Sequence, residues 1–394
     1  MEQTVAVLGR QPALGRAELE SLYGAKSMQP VGQQAVIVDL PTQQVQIDRL
    51  GGTVKVARLL SSINSTDWPR LIKYIADNLP QYLRNLPEGK VRFGLSVYGL
   101  PTKPATIGRS CLELKKIIKR NGRSVRVIPN TESQLNAAQV IHNQLTGPTG
   151  LELLLIRHGQ KTILAQTTAV QDIAAYAARD QARPKRDAKV GMLPPKLAQT
   201  IVNLATGSTP PSAETVVLDP FCGTGVVLQE ALLMGYQAYG SDLEPRMIEY
   251  SQANLDWLRQ RWHLPSDPTP LEAGDATSHH WPVHFEVVAG ETYLGRPFSA
   301  QPNAEVLSKV SRDVDTILRK FLQNLAKQTA PGLRACLAVP AWASNNGFLH
   351  LKTLDSLADL GYTQLSFVHA RNDELVYHRP GQVVARQLIV IERK

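Results

Sequence analysis

The sequence has few cysteines, few aromatic residues and no long apolar run. Its 394 residues include three cysteines, which are far apart and show no zinc-ligand spacing, so a disulfide framework and a cysteine metal site are both excluded. No segment approaches the roughly 18 consecutive apolar residues that a membrane-spanning helix needs. Charged residues come within the first ten positions, so no secretory leader is predicted. We therefore expect a cytoplasmic protein in a reducing compartment, with no membrane contact and no metal ion.

The remaining composition is that of an ordinary folded protein. Apolar residues make up 43% of the chain and charged residues 20%, which excludes disorder as the main state. Because a domain commonly has roughly 100–200 residues, a chain of this length is predicted to form two or three domains. Its formal net charge is +9.

The positive charge is concentrated in two segments. Between residues 84 and 126 there are eleven Lys and Arg residues and two acids. A second basic cluster within residues 179–196 consists of Arg179, Arg183, Lys185, Arg186, Lys189 and Lys196. Residues 242–291 contain nine acids and three basic residues instead. Basic runs are often solvated faces, but two clusters that flank one segment favour contact with a phosphate backbone.

The pattern of apolar residues changes along the chain. Short strands and helices alternate irregularly through the first 170 residues, which predicts an α+β arrangement, and a polar segment follows at 171–195. From Thr215 onward strands and helices alternate regularly, with a strand at His284–Ala289 and a helix at Ala304–Lys327. The last two strands lack an intervening helix. The second half is therefore predicted to be an α/β, doubly wound and mostly parallel sheet with an antiparallel edge.

The most informative segment is Asp219–Gly225, where an acid at the end of an apolar strand is followed by a glycine turn and a helix. In a doubly wound sheet, ligands bind outside the carboxyl ends of the strands, and glycines let the backbone approach them. The segment lacks the glycine patterns of phosphate-binding loops, and Asp219 would repel a pyrophosphate. An acid at this position suits a ligand that carries an ammonium group.

Two further acids follow at the ends of the next strands. Asp242 lies 23 residues after Asp219, where a carboxylate can accept hydrogen bonds from ribose hydroxyls, and Asp275 follows the strand after that. S-adenosyl-L-methionine carries an ammonium, a carboxylate, a sulfonium and an adenosine, so it fits this series of acids. A nicotinamide dinucleotide and a glycine turn without a ligand are the two alternatives.

Residues 218–225 (LDPFCGTG) resemble the first motif of class I methyltransferases, in the form found in THUMP-domain tRNA guanosine N2-methyltransferases. Residues 179–187 (RDQARPKRD) and 191–197 (GMLPPKL) are similar to the linker that leads into the catalytic domain of that family. Shorter matches at 7–14, 93–99 and 124–127 resemble its N-terminal domains. The resemblance covers nearly the whole chain, and the linker and the glycine loop are its specific parts.

This resemblance implies a domain layout. It consists of a ferredoxin-like domain at 1–65, a THUMP RNA-binding domain at 66–170, a linker at 171–195, and a Rossmann-like class I methyltransferase domain with a seven-stranded mixed sheet at 196–394. The N-terminal domains would bind the tRNA acceptor stem through basic residues 84–126 and 179–196. The C-terminal domain would use S-adenosyl-L-methionine to methylate the exocyclic N2 of a guanosine, at position 10 of tRNA.

The resemblance also implies which residues bind the cofactor. The glycine loop would hold its methionine end, the acid after the second strand its ribose, and the residues after the third strand its adenine. The residues carried over to these roles are Asp219, Phe221, Cys222, Gly223, Thr224 and Gly225 in the loop, Asp242 and Leu243 after the second strand, and Asp275 and Ala276 after the third.

The chain departs from the family at its catalytic motif, which is Asp-Pro-Pro-Tyr after the fourth strand. The corresponding residues here are Gly290, Glu291, Thr292 and Tyr293, so glycine replaces the acid and both prolines are absent. The exocyclic amine of guanine is a poor nucleophile, and an acceptor for its N–H together with a stacked aromatic ring promotes attack on the methyl group. Glu291 is the predicted acceptor and Tyr293 the predicted stacking residue. A solvated acid and a packing tyrosine are the structural alternatives.

The altered motif leaves three functions open. The first is N2 methylation of guanosine in tRNA, and the second is N6 methylation of adenine in RNA or DNA, whose amine is served by similar acid–aromatic loops. The third is a tRNA-binding or activating subunit without catalysis. The sequence also leaves open whether a small activator protein or a homodimer is required.

Overall fold

The computed structural model describes residues 2–187, 192–298, 300, 302–344 and 347–394. The chain divides into two compact units. The first contains the residues up to Pro12, Lys26–Asp48 and Thr53–Ile173, and the second contains Ala13–Ala25, Arg49–Gly52 and Ala174–Lys394. The domain boundaries predicted at residues 65, 170 and 195 stay predictions.

The helices and strands are numbered in chain order over the described residues. The helices are α1 (Pro12–Tyr23), α2 (Trp68–Arg84), α3 (Pro104–Arg120), α4 (Ala137–His142), α5 (Ile173–Ala177), α6 (Pro195–Thr206), α7 (Val226–Leu233), α8 (Pro245–Trp262) and α9 (Ala304–Gln328). The strands are β1 (Thr4–Leu8), β2 (Met28–Val31), β3 (Ala35–Val38), β4 (Thr53–Ile63), β5 (Val91–Tyr98), β6 (Val125–Val127), β7 (Gly150–His158), β8 (Lys161–Val170), β9 (Val216–Asp219), β10 (Gln237–Asp242), β11 (Leu271–Ala273), β12 (Val287–Glu291), β13 (Arg334–Ser344), β14 (Gly347–Leu349), β15 (Tyr362–Gln364), β16 (Val376–Tyr377) and β17 (Val384–Arg393). None of these helices is both long and apolar enough to cross a membrane.

The first unit is built on one sheet of eight described strands, in the order β2-β3-β1-β4-β8-β7-β5-β6. Neighbouring strands are antiparallel except around β5, which is parallel to both β6 and β7. Helices α2 and α3 bury one apolar side each, with Leu71 and Ile75 on α2 and Ile107 and Leu114 on α3 in the same core as Phe93. This mixture of helices and mainly antiparallel strands matches the α+β arrangement predicted for the first 170 residues.

A buried ion pair lies inside this sheet. Lys55 on β4 pairs with Glu152 on β7, and their side chains are 3% and 0% exposed. Ser96 donates a hydrogen bond to Oε1 of Glu152 at 2.6 Å, and Thr167 donates one to Oε2 at 2.7 Å. Both carboxylate oxygens therefore have partners, which is the condition under which a charge is tolerated in a core.

Replacing Lys55 with Met should lower the free energy of unfolding by about 3–5 kcal/mol, because Glu152 would remain as an uncompensated buried charge. The double variant Lys55→Met/Glu152→Gln should recover part of this loss, since it buries no net charge. Denaturant titrations of both variants measure the difference, with Lys161→Met, which removes an exposed lysine of β8, as the control. A Lys55→Met variant as stable as its parent would contradict the expectation.

Helix α3 presents an exposed basic face. The helix buries Ile107, Cys111, Leu114 and Ile118, while its basic face consists of the exposed residues Arg109, Lys116, Lys119 and Arg120. Within the part of the chain that the structure describes, no ion pair involves any residue between 84 and 126. None of the four cations of this face therefore forms an ion pair with an acid among the described residues.

The second unit contains a doubly wound sheet in the order β11-β10-β9-β12-β13-β17-β15. The first five strands are parallel, and β17 is antiparallel to both of its neighbours. The predicted α/β class, the mixed sheet and the antiparallel edge are therefore confirmed, but the sheet has nine described strands instead of the predicted seven. Two short strands, β14 beside β13 and β16 beside β17, were not predicted.

Helices cover both faces of this sheet. Ile201 on α6 shares a core with Val217 and Ala289, which point to one face. Phe321 on α9 shares another core with Val288, which points to the opposite face. Because the strands between them are buried on both sides, ligands can reach the sheet only at the ends of its strands.

Strand β12 corrects one predicted boundary. The strand was expected at His284–Ala289, but it begins at Val287 and ends at Glu291. Gly290 and Glu291 pair with Leu337 and Ala338 of β13, whose own ladder continues beyond them. The two residues are therefore the last of the strand rather than the first of the loop after it.

Helix α1 belongs to the second unit, where its Glu18 is fully buried. The Glu18 carboxylate accepts hydrogen bonds from the N–H groups of Gly51 and Gly52 at 2.9 and 2.8 Å, and from the Asn203 side chain at 2.9 Å. Burial raises the pKa of Glu18, and these donors lower it. The Glu18 carboxylate thus connects residues 13–25 and 49–52 to α6.

Candidate active site

The carboxyl ends of neighbouring strands gather the acids that the sequence singled out. In the second unit, β10, β9 and β12 lie side by side, and their last residues are Asp242, Asp219 and Glu291. The negative charges of Asp242 and Glu291 both act on Asp219. Asp219, Asp242 and Glu291 therefore lie together at one edge of the sheet, whereas Asp275, the third acid of the predicted series, follows β11 and is exposed. Among the described residues, no group of three or more His, Cys, Asp and Glu side chains could hold a metal ion.

Asp219 is the most buried acid of this edge, with 2% of its surface exposed. Its Oδ1 accepts a hydrogen bond from the Phe221 N–H at 3.1 Å. Burial raises the pKa of Asp219 well above its ordinary range, the Phe221 N–H lowers it, and the charges of Asp242 and Glu291 raise it again. A cation bound among these three acids would relieve their repulsion and favour ionised Asp219.

Asp242 joins the glycine loop to β10. Its Oδ2 accepts a hydrogen bond from the Gly223 N–H at 2.8 Å, and its Oδ1 accepts one from the Glu244 N–H at 3.0 Å. Burial raises the pKa of Asp242, and the two N–H groups lower it. Because each carboxylate oxygen has two lone pairs, both oxygens can accept a further hydrogen bond from a ribose hydroxyl.

Two glycines of the loop have positive φ angles, 51° at Gly223 and 77° at Gly225. A Cβ on Gly225 would lie 2.9 Å from Ser251 Oγ, whereas a Cβ on Gly223 would meet only the Phe221 carbonyl oxygen at 3.9 Å. The space beside Gly223 is therefore open. Helix α7 begins directly after Gly225, and the N–H groups of a helix amino terminus attract a carboxylate.

Helix α8 supports the loop through two residues that sequence reasoning missed. Ser251 Oγ donates a hydrogen bond to the Gly223 carbonyl at 2.9 Å, and Asn254 Nδ2 donates one to the Thr224 carbonyl at 2.8 Å. The available signal was two polar residues three positions apart on the buried side of an amphipathic helix.

The other predicted loop residues differ in their surroundings. Cys222 is 5% exposed, and its N–H donates a hydrogen bond to the Ser241 carbonyl at 2.9 Å. The Phe221 ring contacts the Phe321 ring edge to face, with the centroids 5.0 Å apart. Thr224 is half-buried. Phe221 therefore packs partly against the core, and the loop offers its backbone to a ligand.

The residues predicted for the adenine end follow β10 and β11. Asp275 is exposed, and its Oδ1 accepts a hydrogen bond from the Thr277 N–H at 2.9 Å. Ala276 is 4% exposed and Leu243 is 64% exposed. Asp275 and Leu243 are thus accessible from solvent beside the acid cluster, while Ala276 contributes to the core.

Glu291 forms an ion pair instead of facing solvent alone. Its Oε1 accepts a hydrogen bond from Arg386 Nε on β17, across the intervening strand β13, and their side chains are 15% and 9% exposed. Burial raises the pKa of Glu291, and Arg386 lowers it. Tyr293 is 47% exposed. Glu291 is therefore not the solvated loop acid of the structural alternative, while both interpretations of Tyr293, stacking on a base and packing, stay predictions.

Gly290 lies directly against Asp219. A Cβ built on Gly290 would be 2.5 Å from Asp219 Oδ1 and 3.6 Å from Pro220 Cδ. Residue 290 is a glycine where the family motif has an acid. Because it has no side chain, the Asp219 carboxylate can occupy the space beside it.

The second basic cluster is only partly at the surface. Arg179 and Arg183 are 6% and 3% exposed, and Arg179 Nε donates a hydrogen bond to Glu230 Oε1 at 2.7 Å. The Lys185 N–H donates one to Asn254 Oδ1 at 2.9 Å. Four residues of this segment, 188–191, lie outside the described residues, and they include Lys189 and Gly191. The prediction that all of 179–196 offers cations to RNA is wrong for Arg179 and Arg183, because both are buried.

Known structures share this architecture. TrmN from Thermus thermophilus matches over 100% of both chains with a TM-score of 0.55 and 17% identity. SMU.472, crystallised with SAH, matches over 98% of this chain and 97% of its own with a TM-score of 0.52 and 11% identity. At such identities the likeness concerns the fold. The fold is that of the Rossmann-like class I methyltransferases, as predicted.

Sequence comparisons identify the family. A family model described as DNA methylase (N6_N4_Mtase) matches residues 170–253. The tRNA (guanine(10)-N2)-dimethyltransferase of Methanothermobacter thermautotrophicus is 30% identical over 189 residues, which are 46% of each chain. The protein named probable tRNA (guanine(10)-N2)-dimethyltransferase from Methanothermococcus thermolithotrophicus is 31% identical over 128 residues, which are 32% of this chain and 74% of that protein. The chain belongs to the family of the tRNA (guanine(10)-N2)-dimethyltransferases. It spans about half the length or less of its full-length relatives, with 46% of the Methanothermobacter protein and 35% of the one from Pyrococcus abyssi matched.

Proposed function

We propose that the protein is an S-adenosylmethionine-dependent tRNA methyltransferase that transfers a methyl group to the exocyclic N2 of a guanosine. The observation that carries this proposal is the cluster of Asp219, Asp242 and Glu291 at adjacent strand ends, next to a glycine loop. The names of the relatives support guanine N2 as the target and position 10 as the site in tRNA.

The charges and the space at this edge fit S-adenosylmethionine. Asp219 is buried and the partly buried Asp242 and Glu291 act on it, so this group of carboxylates suits a ligand with ammonium and sulfonium charges. Asp242 keeps acceptor capacity for ribose hydroxyls. The open space beside Gly223, at the amino terminus of α7, suits the methionine carboxylate.

The chain's own residues can then promote attack by the base. When bound, the cofactor supplies a methyl group whose bond to sulfur breaks as the new bond to nitrogen forms, and the electron pair of the broken bond stays on sulfur. Glu291, at the end of β12, accepts the N–H of the amine before transfer and takes the proton that the nitrogen loses. Tyr293 lies two residues further on and stacks on the base, holding it in line.

The basic face of α3 supports tRNA as the substrate. Its four cations are exposed and have no acidic partner among the described residues. Phosphate oxygens neutralise such rows of Lys and Arg and release counterions from the nucleic acid. Binding through this face should therefore weaken as the salt concentration rises.

Charge reversal at Lys116 and Lys119 should reduce the affinity for tRNA and lower the slope of log K against log salt by roughly 2, since each phosphate contact contributes about one unit. Fluorescence anisotropy with labelled tRNA at several salt concentrations measures this slope. Lys309→Glu/Lys320→Glu reverses the same charge on two exposed lysines of α9 and should leave the slope unchanged. Equal slopes for both double variants would remove α3 from the interface.

Incubation with methyl-labelled S-adenosylmethionine and unmodified tRNA, followed by nucleoside analysis, tests the proposed function. Labelled N2-methylguanosine or N2,N2-dimethylguanosine is expected, and a tRNA with inosine at position 10, which lacks the 2-amino group, should accept no label there. Labelled N6-methyladenosine would favour the adenine alternative. The absence of label in any tRNA would contradict the proposal and favour a non-catalytic RNA-binding subunit.

A further inference from the structure

The ion pair between Glu291 and Arg386 leaves polar atoms unused. Only Oε1 of Glu291 and Nε of Arg386 take part in the hydrogen bond between them. Among the described residues, no other partner is found for Glu291 Oε2 or for the two terminal nitrogens of Arg386, and none of these atoms is a buried atom without a partner. The Glu291 and Arg386 side chains keep 15% and 9% of their surface exposed, so an acceptor and a donor that the ion pair does not use lie next to each other at the strand ends.

Arg386 reaches this position from the far side of β13. In the sheet it is paired with Pro340 of β13 and with Tyr377 of β16, whereas Glu291 is paired with Ala338. Pro340, which is opposite Arg386, therefore lies two residues closer to the carboxyl end of β13 than Ala338, which is opposite Glu291. Arg386 is 7% exposed, so the packing around it limits the freedom of its side chain.

We propose that Arg386 is a positioning residue for methyl transfer, which holds Glu291 by Oε1 so that Oε2 faces the reactive amine of the base. The inference deepens the proposed function and rests on it. A carboxylate that is fixed on one oxygen loses little further freedom when its other oxygen accepts the amine N–H, and such alignment is what speeds the attack of a weak nucleophile.

The charges around Glu291 give Arg386 a second effect. The negative charges of Glu291 and of Asp242 on β10 both act on Asp219 at the end of β9. Among the described residues, Arg386 is the cation that pairs with Glu291. Burial raises the pKa of Glu291 and Arg386 lowers it. Because only the ionised carboxylate accepts the amine proton, Arg386 keeps Glu291 competent to lower pH than it would be without its partner.

Four variants separate positioning from a structural role, namely Arg386→Met, Arg386→Lys, Glu291→Gln and the double variant Arg386→Met/Glu291→Gln. Arg386→Met should lower kcat about tenfold, which is less than the roughly 10²–10⁴-fold that an acid–base group itself contributes, because Glu291 is retained. Its acid limb in the pH–rate profile should move to higher pH, while the KM for tRNA and the Kd for S-adenosylmethionine stay near parental values. Arg386→Lys should recover part of kcat and return the acid limb toward the parental pH.

In the Glu291→Gln background the same Arg386→Met change should lower kcat little further, since the residue through which Arg386 acts is already neutral. This double variant also buries no unpaired charge, so it keeps the comparison possible if Arg386→Met alone folds poorly. Arg371→Met is the matched control, because it removes an exposed pair with Asp373 and should change neither kcat nor the pH profile.

Two results would overturn the inference while the proposed function stands. The first is a parental kcat in Arg386→Met. The second is a loss of kcat in which the acid limb does not move and Arg386→Lys recovers nothing. Equal costs of Arg386→Met in the parent and in Glu291→Gln would overturn it as well. A parent protein that binds S-adenosylmethionine but methylates no tRNA would overturn the proposed function, and the inference with it.

Discussion

Replacing Asp219 with Asn should weaken the binding of S-adenosylmethionine about 100-fold. Loss of one partner of a buried charge pair costs roughly 2–5 kcal/mol, and each 1.4 kcal/mol is a factor of about ten in affinity. Asn has the same shape as Asp and its oxygen can still accept the Phe221 N–H, so the loop should keep its conformation. Isothermal titration calorimetry measures the affinity directly, without any turnover.

The control is Asp256→Asn, which removes a carboxylate that is 56% exposed on α8 and pairs with Arg259. It should bind the cofactor as the parent does. In the parent the affinity should rise with pH, because a cationic ligand prefers ionised Asp219 and the pKa of that acid is raised by burial and by its acidic neighbours. Parental affinity in Asp219→Asn, or an affinity that does not depend on pH, would show that the cation is bound elsewhere.

The same variant should be more stable than the parent when no ligand is present. Because the pKa of Asp219 is raised in the folded state, the folded protein keeps a proton that the unfolded chain releases at lower pH. The stability associated with this group is therefore complete below the ordinary pKa of Asp and is lost as pH rises through the raised pKa. Asn does not titrate, so the difference in unfolding free energy between the variant and its parent should grow with pH.

The placement of the three strand-end acids could be predicted because it depends on local order and on one topological rule. A strand, an acid and a glycine turn can be read directly from residues 216–225, and the ends of parallel strands meet at one edge of the sheet. Asp219, Asp242 and Glu291 therefore come together once the strands are assigned. The helix predicted at Ala304–Lys327 is found at Ala304–Gln328 for a similar reason, since a long amphipathic period is a local property.

Long-range pairing could not be predicted in the same way. Arg386 is 95 residues from Glu291 along the chain, and the two meet only because β17 enters the sheet next to β13. Lys55 and Glu152 are likewise 97 residues apart. In the sequence, a charged residue at such a position cannot be distinguished from an ordinary polar residue until the register of the sheet is known. The reason is that its partner lies on another strand.

Burial was the second property that composition hides. Arg179 belongs to a basic run, yet its side chain packs over the Tyr176 ring and pairs with Glu230 inside the second unit. Glu18 looks like a surface residue of an amphipathic helix, yet it is the buried anchor of α1. Net charge along a segment therefore predicts a kind of partner, while the fold is needed to tell which individual cations are exposed to it.

Replacing Gly290 with Ala should lower the affinity for S-adenosylmethionine about as strongly as Asp219→Asn does, by roughly 100-fold. The added Cβ would lie 2.5 Å from Asp219 Oδ1, so the carboxylate must turn away and give up its hydrogen bond with the Phe221 N–H. Calorimetry gives the affinity, and a thermal melt should show that the fold persists. Gly108→Ala, at a helix position with nothing within 4 Å, controls for the loss of a glycine and should bind as the parent does.

The mechanism of this loss can be isolated in a double-mutant cycle. With Asp219→Ala as the background, no carboxylate remains for the new Cβ to displace, so Gly290→Ala should cost less than about twofold there. An equal cost in both backgrounds would mean that Gly290 acts on the ligand itself, and that the absence of a side chain at this strand end serves the base or the methyl group instead of Asp219.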